Sequence, residues 1–187
     1  MDALQNRVIA GFLCLLIIIA SSVVGVASTL APMRAQVIEL FHVGEGRGSP
    51  GIGSDIAEIS RQVHNITVIA RRYLAPDYPA IERADHAMYS HTRATRIPFN
   101  PRQMRLATDE LVATAQALNA ALSGLELTDQ DRNLLAGCMA EIENRMALIA
   151  GNNRYNQAAF NFNQSLNRFP ANILGPAAGV RPLELFE

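Results

Sequence analysis

The sequence predicts an all-α protein in which an N-terminal transmembrane helix is followed by an antiparallel helical bundle with one long C-terminal helix. Three observations support this prediction. An uncharged apolar stretch lies near the N-terminus, amphipathic patterns of helical period follow it, and residues 128–169 contain no proline. Strand-like alternation is not evident. We therefore expect helices throughout.

The apolar stretch from Val8 to Ala31 carries no charge and is long enough to cross a bilayer core, which takes about 20 residues. Residues 1–7 form a short tail before it. A cleaved signal peptide is the alternative, since residues 25–27 resemble a cleavage site, but a signal's apolar region is usually only about 7–15 residues long. Arg7 and Arg34 flank the stretch on both sides, so the positive-inside rule does not determine its orientation. Positions expected to contact lipid include Val8, Leu15, Ile18, Val24 and Leu30.

Residues 32–54 are predicted to form a stalk and a glycine-rich loop. The helical pattern continues outward through Met33, Val37, Leu40 and Phe41. The loop, residues 44–54, carries five glycines and a proline, which favour flexible backbone. No Gly-Lys-Ser/Thr follows, so a phosphate-binding loop is not indicated.

Residues 55–170 are predicted to form the bundle. Ser54 or Asp55 is expected to cap its first helix. A second helical stretch runs from Ala80 to Arg96, between proline-containing turns. The predicted apolar stripe of the first helix comprises Ile56, Ile59, Val63, Ile66 and Tyr73, and that of the helix before Gly124 comprises Met104, Leu111, Ala115, Leu118 and Leu122.

One uninterrupted helix is expected from Thr128 to Pro170, because Thr128 and Asp131 resemble a capping box and Pro170 ends the backbone ladder. A phase shift in its stripe favours packing against changing neighbours in a bundle over a uniform two-stranded coiled coil. The stripe comprises Leu135, Cys138, Ile142 and Met146 or Ile149, followed by Tyr155, Ala159, Phe162, Leu166 and Phe169.

The tail, residues 171–187, is too apolar for a free extension. Its apolar residues are Ile173, Leu174, Val180, Leu183, Leu185 and Phe186. Docking on the bundle is expected, with contact to the lipid surface as the alternative.

Composition and motifs predict a non-enzymatic protein without a cofactor. The net charge is −1, and all sixteen basic residues are scattered arginines, so nucleic acid is not an expected partner. Cys14 lies in the membrane stretch and Cys138 on an apolar stripe, where thiols behave as small hydrophobes. The serines lack a Gly-x-Ser-x-Gly context. No catalytic residue is therefore assigned.

The candidate metal ligands are Glu82, Asp85, His86 and His91, which lie within ten residues. A carboxylate and a histidine four residues apart can share a helix face. A di-iron site, however, needs two Glu-x-x-His pairs and two further glutamates. Glu82 and His86 are instead four residues apart, and no second pair lies near Glu141 or Glu143. A solvated polar face explains them better, so no metal site is predicted.

Seven asparagines of the C-terminal region are candidates for amide pairing across helices, where charge would be too costly. A polar helix face is the alternative explanation. They are Asn144, Asn152, Asn153, Asn156, Asn161, Asn163 and Asn167.

A set of C-terminal residues resembles the signature of the LemA family. The resemblance covers most of the chain, but this region is its specific part. The matching residues are Arg145, Arg154, Tyr155, Asn156, Phe162, Asn163, Phe169, Pro170 and Asn172, with the closing Phe186 and Glu187. Phe162 departs from the tyrosine that family members usually carry. The resemblance implies an antiparallel helical bundle fixed to a bacterial membrane by one N-terminal helix, and it implies no established catalytic activity.

The twelve residues from Asp85 to Arg96, DHAMYSHTRATR, resemble the corresponding helix of magnetosome members of the same family. This narrower resemblance implies a role in forming the magnetosome membrane and in iron biomineralisation; the alternative is a general cell-envelope protein. Either way, the expected partners are the lipid bilayer and other membrane proteins or further copies of the chain, in a scaffold. Metal handling by the cluster around His86 is the competing hypothesis.

Overall fold

The computed structural model describes residues 2–44, 50–96 and 98–187, with the side chains of residues 2–6 and 8 left out. The described residues form only helices and no strand, which confirms the all-α prediction. The predicted glycine-rich loop falls partly on residues 45–49, outside the described residues. There are seven helices in the described part: α1 Asp2–His42, α2 Ile52–Tyr73, α3 Pro79–Arg96, α4 Pro101–Leu122, α5 Asp129–Gly151, α6 Arg154–Leu166 and α7 Ala171–Ala177.

Helix α1 is one continuous element that contains the membrane stretch and continues to His42. Its segment from Ile9 to His42 is long and apolar enough to cross a membrane, and none of its most apolar part is buried. The expected tail of residues 1–7 is instead helical from Asp2 onward. Leu15, Ile18 and Val24 are about half exposed or more, whereas Leu30 is buried. The side chain of Val8 lies outside the described part of the chain.

The chain divides into two compact units. The first comprises Met1–Val37 and Gln157–Leu183, and the second comprises Ile38–Asn156 and Glu184–Glu187. In the second unit, α2 packs against α3, α4 and α5, while α4 also packs against α3 and α5. The stripe of α2 is almost fully buried because Ile56, Ile59, Val63 and Ile66 face its three neighbours. This bundle is therefore built around α2.

The start of α2 differs from the prediction. The helix begins at Ile52 after Gly51, and neither Ser54 nor Asp55 caps it. A Cβ at Gly51 would lie 2.4 Å from the carbonyl oxygen of Phe41, so the close approach of two backbone segments requires glycine here. Asp55 is instead buried one turn into the helix.

Helices α4 and α5 begin with side-chain caps. Asn100 accepts a hydrogen bond from the backbone N–H of Gln103, and Pro101 takes the first helical position, where the missing N–H costs nothing. Thr128 accepts from the N–H of Asp131, as predicted. The predicted stripe of α4 is buried throughout.

The prediction of one helix from Thr128 to Pro170 is wrong, because the helix is interrupted at Asn152 and Asn153. The N–H of Asn152 donates to the carbonyl of Ile149, which tightens the last turn of α5. The Asn152 side chain accepts from the N–H of Arg154. Asparagine makes such local bonds easily, so it ends one helix and begins the next. The stripe itself is buried from Leu135 to Ile149 and from Tyr155 to Leu166.

Phe169 does not belong to that stripe. It lies after the end of α6 and is 81% exposed. Pro170 precedes α7 as its N-cap residue, and Pro176 lies within that short helix. Val180, Leu183 and Phe186 are buried, whereas Ile173 is exposed.

Candidate functional site

Several of the residues that carry the family resemblance bind the C-terminal tail. The Asn156 side chain pairs with both backbone groups of Phe186. Its Oδ1 accepts from the Phe186 N–H at 2.8 Å, and its Nδ2 donates to the Phe186 carbonyl at 3.2 Å. A primary amide offers one acceptor and two donors, so it binds a peptide backbone as a neighbouring strand would.

Asn163 makes the same pair of bonds with Leu183. Its Oδ1 accepts from the Leu183 N–H at 2.9 Å, and its Nδ2 donates to the Leu183 carbonyl at 2.8 Å. Asn156 and Asn163 are seven residues apart on α6, a spacing that keeps both on one helix face. These two asparagines therefore bind the tail backbone, whereas the hypothesis was amide pairing across helices.

Tyr155 adds a third bond to the tail backbone. Its hydroxyl donates to the carbonyl of Glu184 at 2.6 Å, while its ring is buried. We call Tyr155, Asn156 and Asn163 the tail clasp. Each binds backbone of a tail residue that has no regular secondary structure: Tyr155 and Asn156 within the second unit, and Asn163 within the first.

In the second unit, the ring of Phe186 lies in a cluster of aromatic side chains. Phe41 is fully buried and contacts the rings of Phe99, Tyr155 and Phe186 with centroids 5.0–5.6 Å apart. The Arg105 guanidinium lies 5.7 Å from the centre of the Phe186 ring, within the range of a cation–π contact. Phe186 is thus held by its backbone and by its ring.

The other residues of the resemblance lie elsewhere. Phe162 is buried, whereas Arg154, Phe169, Pro170 and Asn172 are exposed. Phe162 lacks the hydroxyl of the usual tyrosine, and its ring packs as a hydrophobic core residue.

Of the remaining asparagines, Asn152 shapes the break between α5 and α6, as described above. The other four have exposed side chains. Asn144 and Asn161 lie on helices, which fits the alternative of a polar helix face, whereas Asn153 and Asn167 lie outside the helices.

Arg145 links two carboxylates in the second unit. One of its terminal nitrogens lies 3.0 Å from Asp55, and its Nε donates to Glu141 at 2.7 Å. Asp55 is only 1% exposed, so its charge depends on this arginine for compensation. These hydrogen bonds raise the pKa of Arg145 above its ordinary value. The arrangement ties α2 to α5 across ninety positions of sequence.

A second buried carboxylate, that of Asp131, binds the C-terminal end of α2. Asp131 accepts from the Tyr73 hydroxyl at 2.6 Å and from Arg72 at 2.8 Å. The bond from Tyr73 holds the pKa of Asp131 below its usual value, with the Thr128 bond and the Arg72 charge acting in the same direction. Both carboxylates therefore link α2 to α5.

The four candidate metal ligands do not converge. Asp85 pairs with Arg71 at 2.6 Å, His86 lies 3.2 Å from Glu110, and Glu82 is exposed. His91 is buried, and its Nε2 has no hydrogen-bond partner, while burial lowers its pKa. Within the described ranges, no group of three or more His, Cys, Asp or Glu side chains could hold a metal ion.

The thiol of Cys138 offers no evident nucleophile. It is buried on α5, and burial raises its pKa against a smaller opposing effect of a hydrogen bond from Asn65. A raised pKa keeps the group as a thiol at neutral pH.

Phe99, which contacts the Phe41 ring, and Arg105, which contacts the Phe186 ring, were not predicted as site residues. Phe99 lies in a proline-flanked turn that sequence reasoning treated as a separator, and Arg105 lies beside the predicted stripe of α4. Their only signal in the sequence is residue type: an aromatic ring in a turn and an arginine at a helix start. Comparisons with protein-family models, curated proteins and solved structures find no match to this chain. The similarity to the LemA family accordingly stays a prediction based on the residues given above.

Proposed function

We propose that this protein is a non-enzymatic, single-pass membrane scaffold whose helical bundle presents surfaces to partner proteins or to further copies of itself. The observation that carries the proposal is α1. Its stretch from Ile9 to Val24 exposes large apolar side chains all around the helix, including Phe12 and Ile17 at more than 60%. A soluble protein rarely exposes so large an apolar surface, whereas a bilayer covers it.

The rest of the chain supports a structural task. The buried carboxylates are used in ion pairs, the asparagines of the tail clasp bind backbone, and the thiol is held in an apolar setting. Short connections between packed neighbours support the antiparallel arrangement proposed for the bundle. What remains for partners is the bundle surface.

The α3–α4 face is the best candidate for partner contact. A groove of about 290 Å³ lies between these helices and is lined by residues that include Arg93, Leu106 and Glu110. Leu106 is 62% exposed, and Tyr89 on α3 is 67% exposed. Exposed apolar and aromatic side chains beside arginine are typical of protein interfaces.

The resemblance of residues 85–96 to magnetosome members of the LemA family extends the proposal to that compartment. The scaffold would then help to form the magnetosome membrane in which iron mineral grows. A general role in the bacterial inner membrane is the alternative. A fluorescent fusion that follows the iron mineral supports the first placement, and an even distribution over the cell envelope supports the second.

Membrane anchoring is tested by washing membranes with alkaline carbonate and measuring the mass of the retained chain by mass spectrometry. The full chain should stay in the membrane, and deletion of residues 1–31 should release it. Leu15→Arg should impair insertion by about 2.5–3.5 kcal/mol, the cost of arginine at a helix centre. Leu125→Arg, at an exposed position of the bundle, is the control. A soluble mature chain that begins near Ser28 would refute the proposal.

The scaffold task is tested by photo-crosslinking in native membranes. A crosslinking residue at Leu106 should form adducts with a partner or a second copy, whereas one at Leu134, exposed on α5, serves as the comparison. A monomeric chain without adducts at either position would contradict a scaffold. Iron and zinc titrations discriminate the competing hypothesis: binding that is lost in His86→Ala and His91→Ala would favour metal handling instead.

A further inference from the structure

A long apolar groove runs along α1 in the first unit. Its volume is about 580 Å³, within the range of about 300–1,000 Å³ typical of sites for small organic molecules. One wall is α1 from Ile18 to Leu30, and the other is the segment from Phe169 to Leu174, which includes the start of α7. The lining is almost entirely aliphatic and aromatic.

The hydroxyl groups of the groove are already hydrogen-bonded. Ser22 donates to the carbonyl of Ile18 at 2.7 Å, and Thr29 donates to the carbonyl of Gly25 at 3.0 Å. Neither hydroxyl needs a ligand. The groove thus favours an occupant without polar groups over its length.

The position of the groove along α1 determines which part of the bilayer it faces. The uncharged stretch runs from Val8 to Ala31, so its midpoint lies near Ile19. The groove begins at Ile18 and ends at Leu30, a rise of about 18 Å at about 1.5 Å per residue. One leaflet of a hydrocarbon core about 30 Å thick spans about 15 Å. The groove therefore covers the depth of one leaflet.

The charges near its outer end favour an anionic headgroup. Arg34 lies one helical turn beyond Leu30 on the same face, and its Nε donates to the carbonyl of Arg181 at 3.3 Å. Residues 8–37 and 157–183 contain the arginines Arg34, Arg168 and Arg181 and no acidic residue. The Arg34 side chain, with the positive charge of Arg181 next to it in the fold, suits the phosphate of a lipid in the same leaflet.

Two exposed side chains of the second wall point to the same environment. Phe169 is 81% exposed and Ile173 is 64% exposed, although both also line the groove. Where α1 spans a bilayer, side chains exposed beside its apolar stretch would lie in hydrocarbon. We propose that the groove binds one acyl chain of a membrane phospholipid, with the lipid phosphate at Arg34 and Arg181 and with Phe169 and α7 embedded in that leaflet. This inference rests on the proposed membrane anchoring.

The chain offers a matched pair of variants to test occupancy. A Cβ at Gly25, in the groove lining, meets no atom within 4 Å, and the same holds for Gly11, outside the lining. Gly25→Leu has room for its Cβ and adds side-chain volume in the groove, whereas Gly11→Leu adds the same side chain elsewhere on the helix. Both are made in the full chain, reconstituted into nanodiscs that contain phosphatidylglycerol with a diazirine on its acyl chain.

The expected result is photolabelling concentrated on the peptides that carry residues 18–30 and 169–174. Labelling should fall several-fold in Gly25→Leu and stay at the parent level in Gly11→Leu. Arg34→Gln should reduce the preference for phosphatidylglycerol over phosphatidylcholine. Labelling spread evenly along α1 in all variants would overturn the proposal, as would absent labelling with cysteine crosslinks between two copies at position 25.

A second measurement uses the absence of tryptophan from the chain. Phe169→Trp in bilayers with brominated acyl chains should lose most of its fluorescence, while Tyr89→Trp on the bundle should keep it. An unquenched Trp at position 169 in a chain that remains in the membrane overturns this inference alone. A chain recovered outside the membrane overturns the proposed anchoring as well.

Discussion

Replacing Asn156 by alanine should free the end of the tail locally. The substitution removes two hydrogen bonds, each with a net value of about 1 kcal/mol, and leaves both backbone groups of Phe186 without their partner. The loss is about 2 kcal/mol of local stability. Since every 1.4 kcal/mol corresponds to a factor of ten, the Phe186 amide should exchange about 30-fold faster with deuterium.

The assay is amide hydrogen exchange of the full chain in lipid nanodiscs, read at single residues. Asn163→Ala should have the matching effect on the Leu183 amide, because its two bonds go to that residue. Asn156→Asp should have an intermediate effect, because a carboxylate still accepts the Phe186 N–H but cannot donate to the carbonyl. The series separates the two bonds of one side chain.

Asn161→Ala is the control, since Asn161 is exposed on the same helix and exchange at the tail should not change. Equal protection of the Phe186 amide in Asn156→Ala and Asn161→Ala would refute the reasoning. A uniform increase in exchange across the bundle would refute it too, because the two bonds would then stabilise the whole unit instead of the tail.

Three further predictions concern the second unit. Arg145→Met should lower the free energy of unfolding by about 3 kcal/mol because it leaves Asp55 buried without its ion pair, and urea unfolding of the double variant with Asp55→Leu should recover most of the loss. Burial lowers the pKa of His91, so the unfolded chain takes up a proton first and stability should fall as the pH drops below about 6.5. His91→Leu should flatten this dependence of the melting temperature, and an unchanged slope would count against it. Gly51→Ala should lower the melting temperature through its clash with backbone, whereas Gly124→Ala, with open space around it, should not.

Periodicity predicted the helical stripes well because burial of one helix face is a local property of the sequence. The predicted apolar residues of α2 and α4 are buried with the exception of Tyr73, which is partly exposed and uses its hydroxyl to bind Asp131. The break at Asn152 was missed. The stripe does shift phase between Ile149 and Tyr155, but a phase shift is also compatible with an unbroken helix that changes neighbours, and the bonds made by Asn152 show that the helix is interrupted there.

The tail clasp illustrates a different limit. Tyr155, Asn156 and Asn163 belong to the sequence pattern that resembles the LemA signature, and the asparagine amides were predicted to pair across helices. Their partners are backbone groups of Leu183, Glu184 and Phe186, and a backbone group has no signature in the sequence. The apolar composition of the tail predicted that it would dock. Which tail residue pairs with which asparagine could be seen only in the folded structure.

Asp55 shows how a short-range rule fails when a distant charge is available. An acidic residue after a glycine-rich loop is a good N-cap, and its capping value is about 1 kcal/mol. The observed residue is 1% exposed beside Arg145, ninety positions away, and an uncompensated charge at that depth costs about 3–5 kcal/mol. Because the helix begins at Ile52, Asp55 lies one turn inside it, and Arg145 on α5 supplies the charge that the buried carboxylate requires.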